Sequence, residues 1–398
     1  MLGDVLIVPL VLWVTVAAIA CFGVYHAQRA RSPVTAGAFD PAVVIIPVRG
    51  RPAHLEPLWD ALSNQSYRPI RVVFVVESDA DPAYPALRSL AGGPSVEIIV
   101  AGSATEHGQK VHNMLAGIDR LRPDDAVIIF ADADIAPDMP DMEWLARLIR
   151  VLDPRRVLDI ASGYRWLEPT DDRWSTAFIC VMNSSVATVP RRRLWTYAWG
   201  GSMALRRQTA EKLDLKTLWR GAVDDDLTLS RAVRARGGYV HSARDVLVRT
   251  PASYQWKNGI AFVRRQYLLA RMHAPGLWLL AAGATTAPLV GWAVALMLAL
   301  GGNKIAIAAI LLANGLDQAR ASFRRQVPRK LWGTEIAPRV AILDRWATPV
   351  WLALHAFLIW STAFGRSVSW GDRIYWIDAK QRLERVEAAP RCCEVPAE

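Results

Sequence analysis

Residues 5–25, VLIVPLVLWVTVAAIACFGVY, carry no charged side chain over a length that crosses a bilayer as one helix. In lipid a segment must satisfy its own backbone polar groups, so this run reads as a helix in the membrane and constrains everything after it. A secretory signal would be shorter, with a basic start and a small-residue cleavage site. Here the basic residues follow, in HAQRAR, which predicts an uncleaved anchor over residues 1–28 with the next residues in the cytoplasm. Two further apolar blocks, Leu277 to Leu300 and Trp346 to Phe364, are membrane-helix candidates. Between them Ile305 to Leu316 is only about 18 Å long as a helix, too short to span unless extended or buried as a re-entrant segment. Arg320 to Trp332 alternates basic and apolar side chains, as a segment on an anionic membrane surface does; a solvated basic linker has the same pattern. The arginines of the closing tail favour an even number of spans after the soluble block, which keeps that tail cytoplasmic. The predicted organisation is an anchor (1–28), a cytoplasmic domain (40–272), a membrane region with its basic segment (273–366) and a cytoplasmic tail (367–398).

Of 398 residues 52% are hydrophobic, and the formal charge is +10. Much of that charge flanks the apolar runs. The soluble part shows no basic stripe with a recognised reading motif, so nucleic acid is not expected as a partner. Cys21, Cys180, Cys392 and Cys393 are too few and too scattered for a disulfide framework or a zinc site. The Cys392–Cys393 pair is either an acylation site or an inert tail feature.

In the block from about 40 to 255, short β-branched runs at 42–48, 71–78, 96–102 and 126–134 are separated by stretches that each have room for a helix. That alternation predicts an α/β fold, a mostly parallel sheet with helices on both faces. Ligands bind such sheets beyond the carboxyl ends of the strands. The polar residues there are Arg49 and Gly50, then Glu77, Ser78 and Asp79, then Asp132 and Asp134.

Asp132 and Asp134 close FADAD. In an extended segment residues i and i+2 face one side, about 6.5–7 Å apart, and two unpaired carboxylates there repel. A hard divalent cation relieves that repulsion, and Mg²⁺ usually combines one or two carboxylates with substrate phosphates. An Asp-rich turn or helix start in DIAPD explains the same letters without a metal. A second cluster, Asp224, Asp225 and Asp226, opens an amphipathic segment. The helix dipole accounts for one or two acids at such a start, and a third is available as general base toward a hydroxyl.

The ordered set VVIIPVRG, FVVESDADP, GQKVHNM, FADADI, WGGSMALRR, VDDDLTLSRAVRARG and FVRRQYLLAR resembles family 2-type inverting glycosyltransferases of the GT-A fold. Within them it is most similar to the ceramide glucosyltransferase group, glycosyltransferase family 21, and to bacterial glycosyltransferases of hopanoid lipid synthesis. The similarity runs over roughly residues 1 to 376, including the closing VSWGDRIYW. The resemblance implies a UDP-sugar donor with Glu77, or Asp79, against uridine. Lys110 would lie toward ribose or phosphate, with Asn113 near the donor. Asp132 would contact the nucleotide sugar, and Asp134, with Asp132, would hold Mn²⁺ or Mg²⁺. Gly201 and Ser202 would shape the acceptor-side wall, and Asp225 would be the base. The family's closing (Gln/Arg)-x-x-Arg-Trp is altered to VRRQY, which leaves Arg265 and Gln266 as the pyrophosphate clamp with Arg264 in reserve. An arginine fork suits phosphate oxygens.

Departure of the nucleoside diphosphate leaves negative charge for metal and arginine to stabilise. Asp225 takes the proton of a hydroxyl attacking from the opposite face, so an α-linked donor gives a β-glycoside. The membrane segments point to a lipid acceptor, with UDP-glucose the expected donor. Trp174 to Gly201, rich in aromatics, either guides that lipid or is a core helix. A processive polysaccharide synthase and a non-catalytic membrane scaffold are the two rival readings. The first would need more membrane helices and an intact Gln-x-x-Arg-Trp.

Overall fold

In a computed structural model of the chain, residues 2–29, 40–50, 55–90, 95–137, 142–153, 155–190 and 195–389 are described, apart from the side chains of residues 2–5 and 244. Asp138 and the Cys392–Cys393 pair lie outside that set. The chain divides into two compact units that do not follow chain order.

The first is an α/β unit drawn from Ser32–Arg165, Arg191–Pro251 and Gly365–Glu398. Its strands come from the apolar runs: β1 (Ala42–Pro47), β2 (Ile70–Val76), β3 (Val96–Val100) and β4 (Val127–Ala131). They are joined by β5 (Asp159–Pro169), β6 (Ser202–Arg206) and β7 (Tyr239–Ala252) in the order β3-β2-β1-β4-β6-β5-β7. β1 pairs in parallel with both β2 and β4, and β6 turns antiparallel to β4 with Ala131 opposite Ser202. The sheet is buried on both faces. Val44, Ile46, Phe74 and Ile129 fill one core, and Val43, Ile45, Val73 and Phe130 fill the other. Burying each such side chain stabilises the fold by about 1.5–3 kcal/mol. Near-continuous apolar strands are what two-faced burial demands. Chain order reverses between β1 and β4, so the ligand crevice belongs at their carboxyl ends.

The helices α2 (Leu55–Ser63), α3 (Ala83–Leu90), α4 (Gln109–Ile118) and α5 (Trp144–Ile149) follow the early strands, and α7 (Arg207–Leu213), α8 (Leu215–Leu218) and α9 (Asp226–Ala235) follow β6. A second antiparallel sheet, β8 (Ser367–Trp370), β9 (Arg373–Ile377) and β10 (Leu383–Ala388), also belongs to this unit. The tail is therefore a folded part of the α/β unit. Leu383 N–H donates to Gly221 O (2.7 Å), and Arg382 donates to the carbonyls of Leu218 and Arg220.

The second unit is helical, from Met1–Arg31, Trp166–Pro190 and Ala252–Phe364. It holds α1 (Leu2–Ala27), α6 (Trp174–Ala187), α10 (Trp256–His273), α11 (Pro275–Leu300), α12 (Lys304–Trp332), α13 (Pro338–Trp346) and α14 (Thr348–Trp360). Residues 6–27 of α1 and the whole of α11 are long and apolar enough to cross a membrane. α1 packs against α11 and α12 through Leu10, Trp13, Ala295, Ala306 and Ala313.

Three expectations change here. The short apolar segment and the basic segment after it are one 29-residue helix, α12, about 43 Å long. The basic segment does not simply lie on a surface, because Arg320 and Arg324 turn inward. Arg324 pairs with Asp344, and Arg320 pairs with Asp317 (3.1 Å) and Asp344 (3.3 Å). The third apolar block is interrupted after Trp346, leaving α14 with 13 residues, about 20 Å, short of a full span.

Candidate active site

Three loops converge at the carboxyl ends of β1, β2 and β4. β4 ends at Ala131, so Asp132 and Asp134 sit in the turn beyond it rather than in the strand itself. The alternation survives all the same: Ala131, Ala133 and Ile135 are buried while the two aspartates between them are part-exposed. Asp132 N–H donates to Gly201 O (3.3 Å), tying this turn to the loop before β6.

Lys110, in the first turn of α4, is the hub. Its Nζ lies 2.7 Å from Asp132 Oδ1 and 3.4 Å from Asp225 Oδ1, and 5.9 Å from the centre of the Trp370 ring. It reaches Asp225 because Gly108 N–H donates to Ala222 O (2.9 Å), docking the start of α4 on the loop that carries the acids. Burial opposes the lysine's charge, but Asp132, Asp225 and Asp226 outweigh it and hold its pKa above the ordinary value. The ammonium thus bridges two carboxylates.

The three adjacent aspartates divide the work. Asp224 Oδ1 accepts from Leu227 N–H (2.8 Å), the capping bond expected at the start of α9. Asp226 Oδ2 accepts from Gly200 N–H (2.6 Å) and so fixes the loop before β6. Asp225 makes neither bond through its carboxylate. Its backbone carbonyl accepts from Trp219 Nε1 (3.1 Å), its side chain is 3% exposed, and its Oδ2 has no hydrogen-bond partner among the described residues. A buried acceptor without a partner is costly, and such atoms in native folds call for an explanation. Gly200 is required beside it, since a Cβ there would land on Asp225 Oδ2 and 3.0 Å from Lys110 Nζ.

Burial, then Asp225, push Asp226 up to about 7, and burial raises Asp225 as well, against the pull of Lys110. Burial, then Asp132, push Asp134 up to about 6, although Arg165 and Lys110 favour its charge. Among the described residues, Asp132, Asp134, Asp224, Asp225 and Asp226 therefore share a field with fewer cations than carboxylates. No three His, Cys, Asp or Glu side chains converge on a metal-sized point among the described residues. A divalent ion fits this donor set only if phosphate and water oxygens complete its shell, which is how Mg²⁺ usually binds. Asp134, with Asp132, would be its protein ligands.

The remaining predicted residues fall in several places. Glu77, at the end of β2, accepts from Arg373 Nη2 (2.5 Å) and Ser103 Oγ (2.7 Å), while Asp79 is exposed and bonded only locally with Ser78 (3.4 Å). Asn113 is buried one layer behind the expected donor contact, accepting from Gln109 Nε2 (2.8 Å) and donating to Val75 O (3.2 Å). Gly201 belongs to the site floor, where a Cβ would meet the Trp199 ring and Asp132 Oδ2. Ser202 does not line an open wall: it is fully buried and its Oγ accepts from Trp144 Nε1 (3.0 Å). Arg264, Arg265 and Gln266 lie on α10 in the helical unit, with Arg265 stacked 5.6 Å from the centre of Phe262. α6 packs with α10, α13 and α14 in that same unit. Sequence reasoning missed Gln109, Arg373 and Trp370. The signal available for them was VSWGDRIYW, conspicuously aromatic and charged for a chain end.

Among solved structures, the chain resembles a mannosyltransferase from Pyrobaculum calidifontis in complex with GDP-Man and Mn²⁺, at 15% identity and a TM-score of 0.43, over 89% of this chain and 96% of that one. It also resembles residues 1–349 of TarS from S. aureus in complex with UDP-GlcNAc, at 10% identity and a TM-score of 0.37, over 88% of this chain and 100% of that one. A third is glucosyl-3-phosphoglycerate synthase from Mycobacterium tuberculosis, at 10% identity and 0.35, over 63% of this chain and 83% of that one. Likeness this distant says nothing of this chain's own donor or metal. No curated protein matches the sequence. The family model for glycosyl transferase family 21, however, matches residues 9–383, nearly the whole chain, and with the GT-A arrangement of its sheet this makes the protein a glycosyltransferase of family 21.

Proposed function

We propose that the protein transfers a hexose, with inversion, from a UDP-sugar to a hydroxyl of a membrane lipid, forming a β-glycolipid. UDP-glucose is the first donor to test, and ceramide-like, hopanoid and diacylglycerol acceptors are the lipid classes in view. The observation that carries the reading is Asp225: a buried carboxylate with one oxygen toward Lys110 and the other without a partner, beside the Asp132 turn. A hydroxyl placed on Oδ2 hydrogen-bonds to it and gives up its proton as it attacks the anomeric carbon. Lys110 holds Asp225 and Asp132 at fixed separation, keeping the base beside the sugar-binding acid. Mg²⁺ or Mn²⁺ on Asp134 and Asp132 would supply positive charge for the departing diphosphate. Arg265 and Gln266 remain the residues proposed for the pyrophosphate.

Membrane placement is supported by α1 and α11. The segment from 252 to 364 leaves the α/β unit and the chain re-enters the same unit at Gly365. We read both ends of that segment as opening on one side of the bilayer, an even number of crossings, in which α14 and the apolar start of α12, each shorter than a full span, would have to complete what α11 begins. We take that side as cytoplasmic, from the basic residues after α1. The test is Asp225→Asn. Transfer to lipid should be lost while UDP binding, read by calorimetry, stays within about twofold. Loss of UDP binding in step with activity would show that Asp225 serves the donor instead.

A further inference from the structure

The tail returns to the crevice, and the turn joining β8 to β9, Trp370-Gly371-Asp372-Arg373, lies on the strand ends where the donor's base is expected. Gly371 has φ +63, and a Cβ there would press on the Arg49 guanidinium. The turn is pinned to the end of β1 by Arg49 with Asp372 (2.5 Å). It is pinned to the end of β2 by Arg373, whose Nη2 lies 2.5 Å from Glu77 Oε1 and whose Nη1 donates to Gln109 Oε1 (2.7 Å). Gln109 in turn donates to Gly102 O (2.9 Å) and to Asn113 Oδ1 (2.8 Å), and Asn113 donates to Val75 O. The guanidinium is thus rooted through two amides in β2. Ser103 also bonds Glu77 at Oε1, so both partners fall on one oxygen and Oε2 has none among the described residues. Glu77 is 16% exposed, enough to be reached by a ligand.

We propose that Arg373 is a positioning residue for base recognition: by clamping Glu77 Oε1, it fixes Oε2 as an acceptor for the imino N–H of uracil. Uracil presents a donor at N3, whereas cytosine presents an acceptor there, so a carboxylate locked in one rotamer admits the first and repels the second. A site built to bond a ligand N–H discriminates strongly against an analogue that lacks it. A carboxylate free to rotate is still an acceptor, but it meets N3 in fewer of its rotamers, so the preference weakens. Burial alone would raise the Glu77 pKa, but Arg373 and Ser103 more than compensate, which keeps it the acceptor this role needs. The inference rests on the reading of Glu77 as the base contact.

The experiment measures uridine and cytidine monophosphate binding to the full chain in detergent, without metal, by calorimetry. Glu77→Gln comes first: the preference for uridine monophosphate should fall about tenfold. If the preference survives, the base-contact reading fails and the role of Arg373 falls with it. Arg373→Ala and Arg373→Lys should lower the preference by a similar factor, leave cytidine monophosphate binding within about twofold, and raise the KM for UDP-sugar with kcat nearly unchanged. Arg382→Ala loosens the same sheet at Leu218 and Arg220 without touching Glu77, and should leave the preference intact. The proposal is overturned if Glu77→Gln removes the preference but Arg373→Ala keeps it. It is equally overturned if Arg373→Ala weakens both nucleotides in step, or if Arg382→Ala erodes the preference as much as Arg373→Ala does.

Discussion

The two units each bury a cluster of charge, and the clusters are built differently. In the helical unit Arg320 and Arg324 face Asp317 and Asp344: two cations against two carboxylates, with Arg324 and Asp344 at 1% and 2% exposure. In the α/β unit five carboxylates, Asp132, Asp134, Asp224, Asp225 and Asp226, share the field of Lys110, with Arg165 near Asp134. The first cluster matches cation to carboxylate in number, although Arg320 Nε and Arg324 Nε are buried without hydrogen-bond partners among the described residues. Among the described residues the second is short of positive charge, and Asp225 Oδ2 has no partner there. A balanced buried cluster sets how helices register. A deficient one is the candidate place for a cation and a substrate.

Substitutions can break this contrast. The largest effect on stability is expected from Arg324→Met, which leaves buried Asp344 with Arg320 (3.3 Å) as its remaining counter-charge and should cost about 3–5 kcal/mol, read as a fall in Tm that added Mn²⁺ does not reverse. Lys110→Met should cost somewhat less, about 2–3 kcal/mol, because the aspartates beside it can take up protons. Here Mn²⁺ should restore part of the Tm. If the ion restores neither variant or both alike, the two clusters do not differ as described. Gly200→Ala should lower kcat about 30-fold with donor KM little changed, by displacing the Asp225 carboxylate, which a Cβ there would approach to 2.2 Å, by about an ångström. A normal kcat in that variant would place the reacting hydroxyl away from Oδ2. The smallest effect is expected from Asp79→Asn, within about twofold in kcat/KM, since Asp79 is exposed and bonded only to its neighbour. A tenfold loss there would move base recognition from Glu77 to Asp79.

Which features were legible in the sequence follows from range. β1 to β4 fall within about three residues of their apolar runs, because a strand buried on both faces announces itself locally. Asp132, Asp134 and Asp225 were readable as candidates because acids at the end of an apolar strand or in excess of a cap have few structural uses. What stayed hidden depends on long-range pairing. Ser202 has an ordinary strand environment, and only the Trp144 indole across the core shows that its hydroxyl is spoken for. Arg320 and Arg324 look like surface charge until Asp344, twenty residues on, is seen to receive them. Arg373 is 296 residues from Glu77, and no local pattern connects them. The assignment of Trp174–Ala187 to the helical unit was hidden for the same reason: its partners α10, α13 and α14 all come later in the chain.

The central claim is that the charge-deficient cluster is a transfer centre serving a lipid. Membranes holding the native protein, or its Asp134→Asn variant, would be given isotope-labelled UDP-sugars with Mn²⁺, and the extracted lipids read by mass spectrometry and by NMR at the anomeric carbon. A β-linked label on lipid from the native protein, absent with the variant, is the predicted result. An α-linked product, label only in water-soluble polymer, or equal labelling by both proteins would contradict it.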